Sequence, residues 1–119
     1  MRKESFILFL FHKGTYMDSQ AERRQLPAHF RALASPTRLR ILERLVETGE
    51  QSVKDVAAHL RMSQPRVSWH LAMLVRAGAV RRRREGRLAY CSVDLEAIRR
   101  HQLAFWELLN EKKRIGVRP

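Results

Sequence analysis

At 119 residues the chain is long enough for one domain with a modest core and too short for an enzyme built around a deep cleft. Lysine and arginine number 24 against 12 acids, giving a net charge of +12 and a pI near 11.3, so the expected partner is a polyanion, most simply nucleic acid. An apolar share of 45% excludes a disordered chain, and a single cysteine, Cys91, excludes an intramolecular disulfide.

Phe6 to Phe11 is the one long apolar run, six residues that are far too few to span a bilayer. No small-residue cleavage site follows it, so no signal peptide and no membrane partner are expected. Residues 1–20 read as an extension. Met17 is a candidate start, preferred over a structured arm at a subunit contact. Residues 21–113 read as one domain and 114–119 as a basic tail.

Ala21 to Ala34 carries Leu26, Phe30 and Leu33 at i, i+4 and i+7, the spacing of an amphipathic helix, although Pro27 must lie in its first turn or kink it. Ser35-Pro36 restarts the chain as an N-cap followed by proline at the first helical position. Leu39, Leu42, Leu45 and Val46 are the expected buried stripe of this second helix, and Gly49 is its expected C-terminal cap. Ser52-Val53-Lys54-Asp55 is a capping-box-like start, with Val53, Val56, Ala57 and Leu60 on one face. Arg61-Met62 leaves room only for a tight turn before Ser63.

Ser63 to Leu74 is the stretch that points most directly to function. Ser63 is a good N-cap, Pro65 sits in the first turn, and Val67, Leu71 and Leu74 make one apolar stripe. The other face presents Gln64, Arg66, Ser68, Trp69 and His70, with no acid. Two short helices joined this way, the second polar and flat-sided outside, make a helix-turn-helix whose second helix reads DNA. An ordinary helical hairpin is the competing interpretation. His70 sits at the edge of the buried face, suited to position the helix or touch a phosphate.

Gly78 ends that helix. Ala79 to Arg84 and Arg87 to Val93 flank Glu85-Gly86, a two-residue hairpin signal, with Val80, Leu88, Tyr90 and Val93 as its inward face. Arg81, Arg82, Arg83, Arg84 and Arg87 crowd this turn, and such a basic hairpin can reach phosphates beside a major-groove helix. Asp94 can cap a last helix running to about Lys113. Leu95, Ile98, Gln102, Phe105, Trp106 and Leu109 track one side of it, more apolar surface than so small a domain easily buries. Packing against a second copy is expected there, with Leu26 and Phe30 of the first helix contributing. The expected fold is therefore mainly α with a β-hairpin wing, about five helices and two strands.

Residues 30–98 resemble the ArsR/SmtB family of bacterial winged-helix repressors. The resemblance is carried by Ala32-Leu33-Ala34-Ser35-Pro36-Thr37-Arg38-Leu39-Arg40-Ile41-Leu42, by Ser63-Gln64-Pro65 with Val67-Ser68-Trp69-His70-Leu71, by Ala77-Gly78, and by Arg83-Arg84-Glu85-Gly86-Arg87. It implies a homodimeric, cytoplasmic, nucleoid-associated regulator that covers an operator and leaves when an effector binds. The effector is not indicated. Where the family's metal site has a Cys-Val-Cys-Asp run, this chain has Ser52-Val53-Lys54-Asp55, and a lysine ammonium cannot replace a thiolate. The family's second site, an Asp-x-His pair with a later His and Glu on the last helix, is not matched either: Glu96 and Glu107 stand at the histidine positions. No metal and no cofactor are expected. Cys91 reads as a small packed residue, with a single-thiol redox role as the alternative. His29 and His59 read as structural or surface histidines, and His101 alone makes no site.

The expected DNA-contacting set is thus Ser63, Gln64, Pro65, Arg66, Ser68, Trp69, His70, Arg83, Arg84 and Arg87. A protein-interaction module on the same scaffold and a non-specific chromosome-coating protein are the rival functions. An enzyme is not expected, since no nucleophile–base set or phosphate-cradling glycine loop is readable.

Overall fold

The computed structural model describes residues 20–114, with side chains as far as Glu111. The apolar run at Phe6 to Phe11, the candidate start at Met17 and the tail after Arg114 lie outside the described residues. Within them run α1 (Gln20–Leu33), α2 (Pro36–Thr48), β1 (Gln51–Ser52), α3 (Val53–Leu60), α4 (Gln64–Arg76), β2 (Val80–Glu85), β3 (Leu88–Val93) and α5 (Leu95–Arg114). The described residues form two compact units, one of Pro27–Leu95 and one joining residues 20–26 with residues 96–114.

In the first unit three helices start at serines whose hydroxyls accept a backbone N–H of the first turn: Ser35 from Arg38, Ser52 from Asp55 and Ser63 from Arg66. Ile41, Leu45, Val56, Val67, Leu71 and Leu74 are fully or almost fully buried and form the core on which the helix-turn-helix is built. Each such side chain contributes about 1.5–3 kcal/mol by leaving water. His29 is also fully buried, its Nδ1–H donating to the Ala77 carbonyl at 2.7 Å, while His59 is exposed. Between α3 and α4, Arg61 takes the left-handed conformation (φ 56°) and turns the chain in the space of two residues.

Several expectations need correction. The buried stripe of α2 is Ile41 and Leu45; Leu39 and Val46 are 51% and 59% exposed, because the helix is rotated to bring the i, i+4 pair inward. Pro27 lies in the interior of α1 and not in its first turn. The sheet has three antiparallel strands in the order β1-β3-β2, one more than expected, since Gln51 and Ser52 pair with Cys91 and Tyr90. The hairpin loop is Gly86-Arg87, one residue later than Glu85-Gly86, because Glu85 pairs with Leu88 and only Gly86 adopts positive φ (61°). That register also pairs Val80 with Val93 and Arg82 with Cys91, so Cys91 takes the inward place expected of Tyr90, and Leu88 is exposed.

In the second unit the buried face of α5 carries Ala97, Leu103 and Ala104, with Leu26 of α1. Leu26, expected at a subunit contact, is only 6% exposed in the single chain. Polar groups reinforce the pair: Arg23 bridges Glu111 at 2.7 Å, Arg100 lies 3.6 Å from Glu22, and His101 bonds the Ala97 carbonyl and the Gln25 side chain. Arg99 is buried and paired with Glu96. No helix among the described residues is long and apolar enough to cross a membrane.

Candidate nucleic-acid interface

The fully buried Val67, Leu71 and Leu74 fix the rotation of α4 about its axis and thereby decide which side chains it presents. Gln64, Pro65 and Arg66 are exposed in the first turn, Ser68 is half-buried and Trp69 is 57% exposed. His70 is different. It is buried, and its Nδ1 accepts a hydrogen bond from Arg38 Nε–H at 3.2 Å. Burial first, then the guanidinium charges of Arg38 and Arg66, holds its pKa below the ordinary 6.5. A second Arg38 nitrogen donates to the Ala32 carbonyl at 3.4 Å, and the guanidinium sits 5.2 Å from the centroid of the Trp69 ring. Trp69 in turn meets His70 edge to face at 5.0 Å. Arg38 therefore ties α2 to the exposed tryptophan of α4, and His70 serves that arrangement from inside instead of facing a groove.

The arginine run of the wing divides by the pleat of the strand. Because successive side chains alternate faces, Arg82 and Arg84 share a face with Val80, while Arg81 and Arg83 share the other. Arg82 donates to Ser68 Oγ at 3.2 Å, joining the wing to α4. Between them lies a cavity of about 250 Å³ whose wall includes Lys54, Gln64, Pro65, Ser68, Arg82, Arg84 and Arg87 and no carboxylate. Four cations from α3 and the wing thus converge beside the first turn of α4, at the positive end of the helix dipole. On the opposite face the arginines meet acids. Arg83 is held by both oxygens of Glu50, at 2.8 and 2.6 Å, and by Glu85 at 2.8 Å, and it stacks 4.6 Å above the Tyr90 ring. Arg81 lies 3.8 Å from Asp94.

The structure therefore brings together Ser63, Gln64, Pro65, Arg66, Ser68, Arg84 and Arg87. It turns Arg83 away to two carboxylates, and it adds Arg82 and Lys54, which the expected set lacked. Strand parity counted from Val80 carries the signal for Arg82; nothing in the sequence marks Lys54.

A family of helix-turn-helix domains matches residues 33–83. The transcriptional repressor SdpR of Bacillus subtilis is 35% identical over 65 residues, covering 55% of this chain and 71% of SdpR. A solved ArsR-family transcriptional regulator superposes with a TM-score of 0.62 at 28% identity, over 82% of this chain and 96% of that one. The chain belongs to the ArsR family. This ArsR-family chain is also 47% identical over 64 residues to a probable mercury resistance operon repressor of Streptomyces lividans, covering 54% of this chain and spanning 50% of that protein's length. A homodimeric winged helix-turn-helix DNA-binding domain of Mycobacterium bovis, solved by NMR, has a TM-score of 0.61 at 27% identity, over 82% of this chain and 89% of its own.

The family's members are regulators, and at the start of α3 this chain carries Ser52-Val53-Lys54-Asp55. Ser52 there caps the helix and Asp55 supplies the amide it caps. Among the described residues no three His, Cys, Asp or Glu side chains cluster so as to hold a metal ion. Cys91 is fully buried, and burial raises the pKa of its thiol.

Proposed function

We propose that this ArsR-family chain is a sequence-specific DNA-binding repressor that acts as a homodimer on an inverted-repeat operator. The observation that carries the reading is the acid-free surface shared by the first turns of α4 and the inner face of the wing, where Arg82, Arg84, Arg87 and Lys54 surround the hydrogen-bonding groups Gln64 and Ser68, with Arg66 exposed in the same first turn. In this reading each α4 enters a major groove. Arg66 makes a bidentate guanine contact, Gln64 an adenine contact, and Trp69 presses on a thymine methyl or a sugar. Ser63, Arg82, Arg84, Arg87 and Lys54 hold phosphates, which makes affinity fall steeply with salt.

The two-fold arrangement is supported by the apolar side of α5, where Leu95, Phe105, Trp106 and Leu109 are exposed in the single chain, and by the homodimeric state of the Mycobacterium bovis relative. Half-sites then lie about 10 bp apart, and a promoter covered in this way is closed to polymerase. Selection of bound sequences from random DNA tests the whole reading. A two-fold motif with one-turn spacing is expected. Equal recovery of all sequences would make the protein a non-specific DNA coat, and no recovery would leave the fold as a protein-interaction scaffold.

A further inference from the structure

We propose that Glu50 and Arg83 form a lock that sets the wing against the helix-turn-helix, and that Arg83 is a positioning residue and not a phosphate ligand. Glu50 lies in the turn between α2 and β1, and Arg83 lies 33 residues away on β2, so the pair spans from the helical body to the hairpin. Exposed ion pairs are usually weak, because each member has water and other rotamers as alternatives. Here the alternatives are few. The carboxylate of Glu50 takes Nε and Nη2 in the fork geometry that a phosphate would demand, Glu85 takes Nη1, and Tyr90 covers one face of the guanidinium. Three of five N–H donors are engaged by two negative charges, so a phosphate arriving at Arg83 would have to displace a ligand of its own kind.

The neighbours of Arg83 make the contrast. Arg82, Arg84 and Arg87 have no ion pair among the described residues and line the acid-free cavity beside α4. The pleat of β2 thus sorts one arginine run into two jobs, alternate residues facing the partner and alternate residues bracing the hairpin. The bracing half rests on the fold alone; its consequence for DNA rests on the function proposed above.

The experiment compares Glu50→Gln, Arg83→Gln, Arg83→Lys and Arg84→Gln with the parent chain in two measurements. Hydrogen exchange without DNA reads the lock: the amides of residues 81–92 are expected to exchange faster in the Glu50 and both Arg83 variants, lysine failing because it offers a point charge and no fork. Arg84→Gln is expected to leave exchange unchanged. Titration against the selected operator at several salt concentrations reads the division of labour. Arg84→Gln is expected to flatten the plot of log affinity against log salt by about 1.8, one phosphate for each subunit of the dimer. Arg83→Gln and Glu50→Gln are expected to keep the parent slope while weakening operator binding severalfold, the double variant being no weaker than either single one. Unchanged exchange in Glu50→Gln would overturn the lock. A slope lowered by about 1.8 in Arg83→Gln, or tighter operator binding by Glu50→Gln, would make Arg83 a phosphate ligand and Glu50 a mere repulsive charge. Failure of the parent chain to select any sequence would count against the proposed function instead, with the exchange data still deciding the lock.

Discussion

Arg66 and His70 stand four positions apart on one helix and sit in opposite surroundings, one exposed and one buried. Arg66 is exposed in the first turn of α4 with its backbone amide bound by the Ser63 cap, so its side chain is aimed by a helix start that is itself fixed. Replacing it with alanine should relax the preference at one operator position per half-site, worth about 1–3 kcal/mol of discrimination. Competition between the operator and single-position variants measures this; equal weakening on every sequence would reassign Arg66 to the backbone. His70 acts from the buried side. Its Nδ1 must stay unprotonated to accept from Arg38, and burial with the nearby Arg38 and Arg66 charges keeps its pKa below the usual 6.5. On acidification the unfolded chain therefore takes up this proton before the folded one does. The stability this group contributes is complete above about pH 6.5 and is lost as pH falls through the depressed folded-state value. In His70→Gln, which keeps an acceptor for Arg38 and cannot titrate, melting temperature should fall less than in the parent between neutral and mildly acidic pH. Parallel curves for the two proteins would show that His70 does not govern this limb.

The wing turn shows how a single backbone constraint sets a whole hairpin. Gly86 has a φ of 61° at the first of two loop positions, where turns matching the strand twist take glycine. A Cβ there meets nothing within 4 Å, so Gly86→Ala carries no clash and its cost is backbone strain alone, about 1–2 kcal/mol. Denaturant melts should show that loss. The same turn marks where the sequence stopped being informative. Helix starts were legible because a serine cap and the stripe behind it are local signals, as at Ser35, Ser52 and Ser63. The hairpin was located correctly but its two-residue loop was displaced by one residue, which slides the pairing by two residues and leaves the inward parity of each strand unchanged. Tyr90 was expected inward because it alternates with the apolar Leu88, whereas the pairing with Val80 and Arg82 puts Val93 and Cys91 on that face and leaves Leu88 exposed. Two residues of β1 carry no period at all. The exposed Leu39 and Val46 were misread because leucines and a valine at helical spacing fit two rotations of α2 equally well.

For the molecule as a whole the decisive question is what covers the long side of α5. Leu95 is 56% exposed, Trp106 41% and Leu109 46%, and Phe105 lies between them on the same side, while Ala97, Leu103 and Ala104 already fill the buried face. Apolar side chains aligned over three turns and left in water favour association, and a two-fold pairing of identical helices satisfies both copies at once. In the proposed dimer the pairing also sets affinity. Two recognition helices held in one particle raise the effective concentration of the second for its half-site, a gain of about 10²–10⁴ over a single helix. Trp106→Glu puts a charge into that seam without touching α4 or the wing. Sedimentation should show a dimer for the parent and a monomer for the variant at micromolar concentration, with an unchanged far-ultraviolet spectrum to show that each chain still folds. Operator affinity should drop by about 10²–10⁴ while binding to an isolated half-site stays at the parent monomer's level. Leu109→Glu should behave alike, because it lies three residues further along the same side. A dimer that survives both changes would place the subunit contact elsewhere, and a monomer that keeps full operator affinity would separate dimerisation from DNA reading altogether.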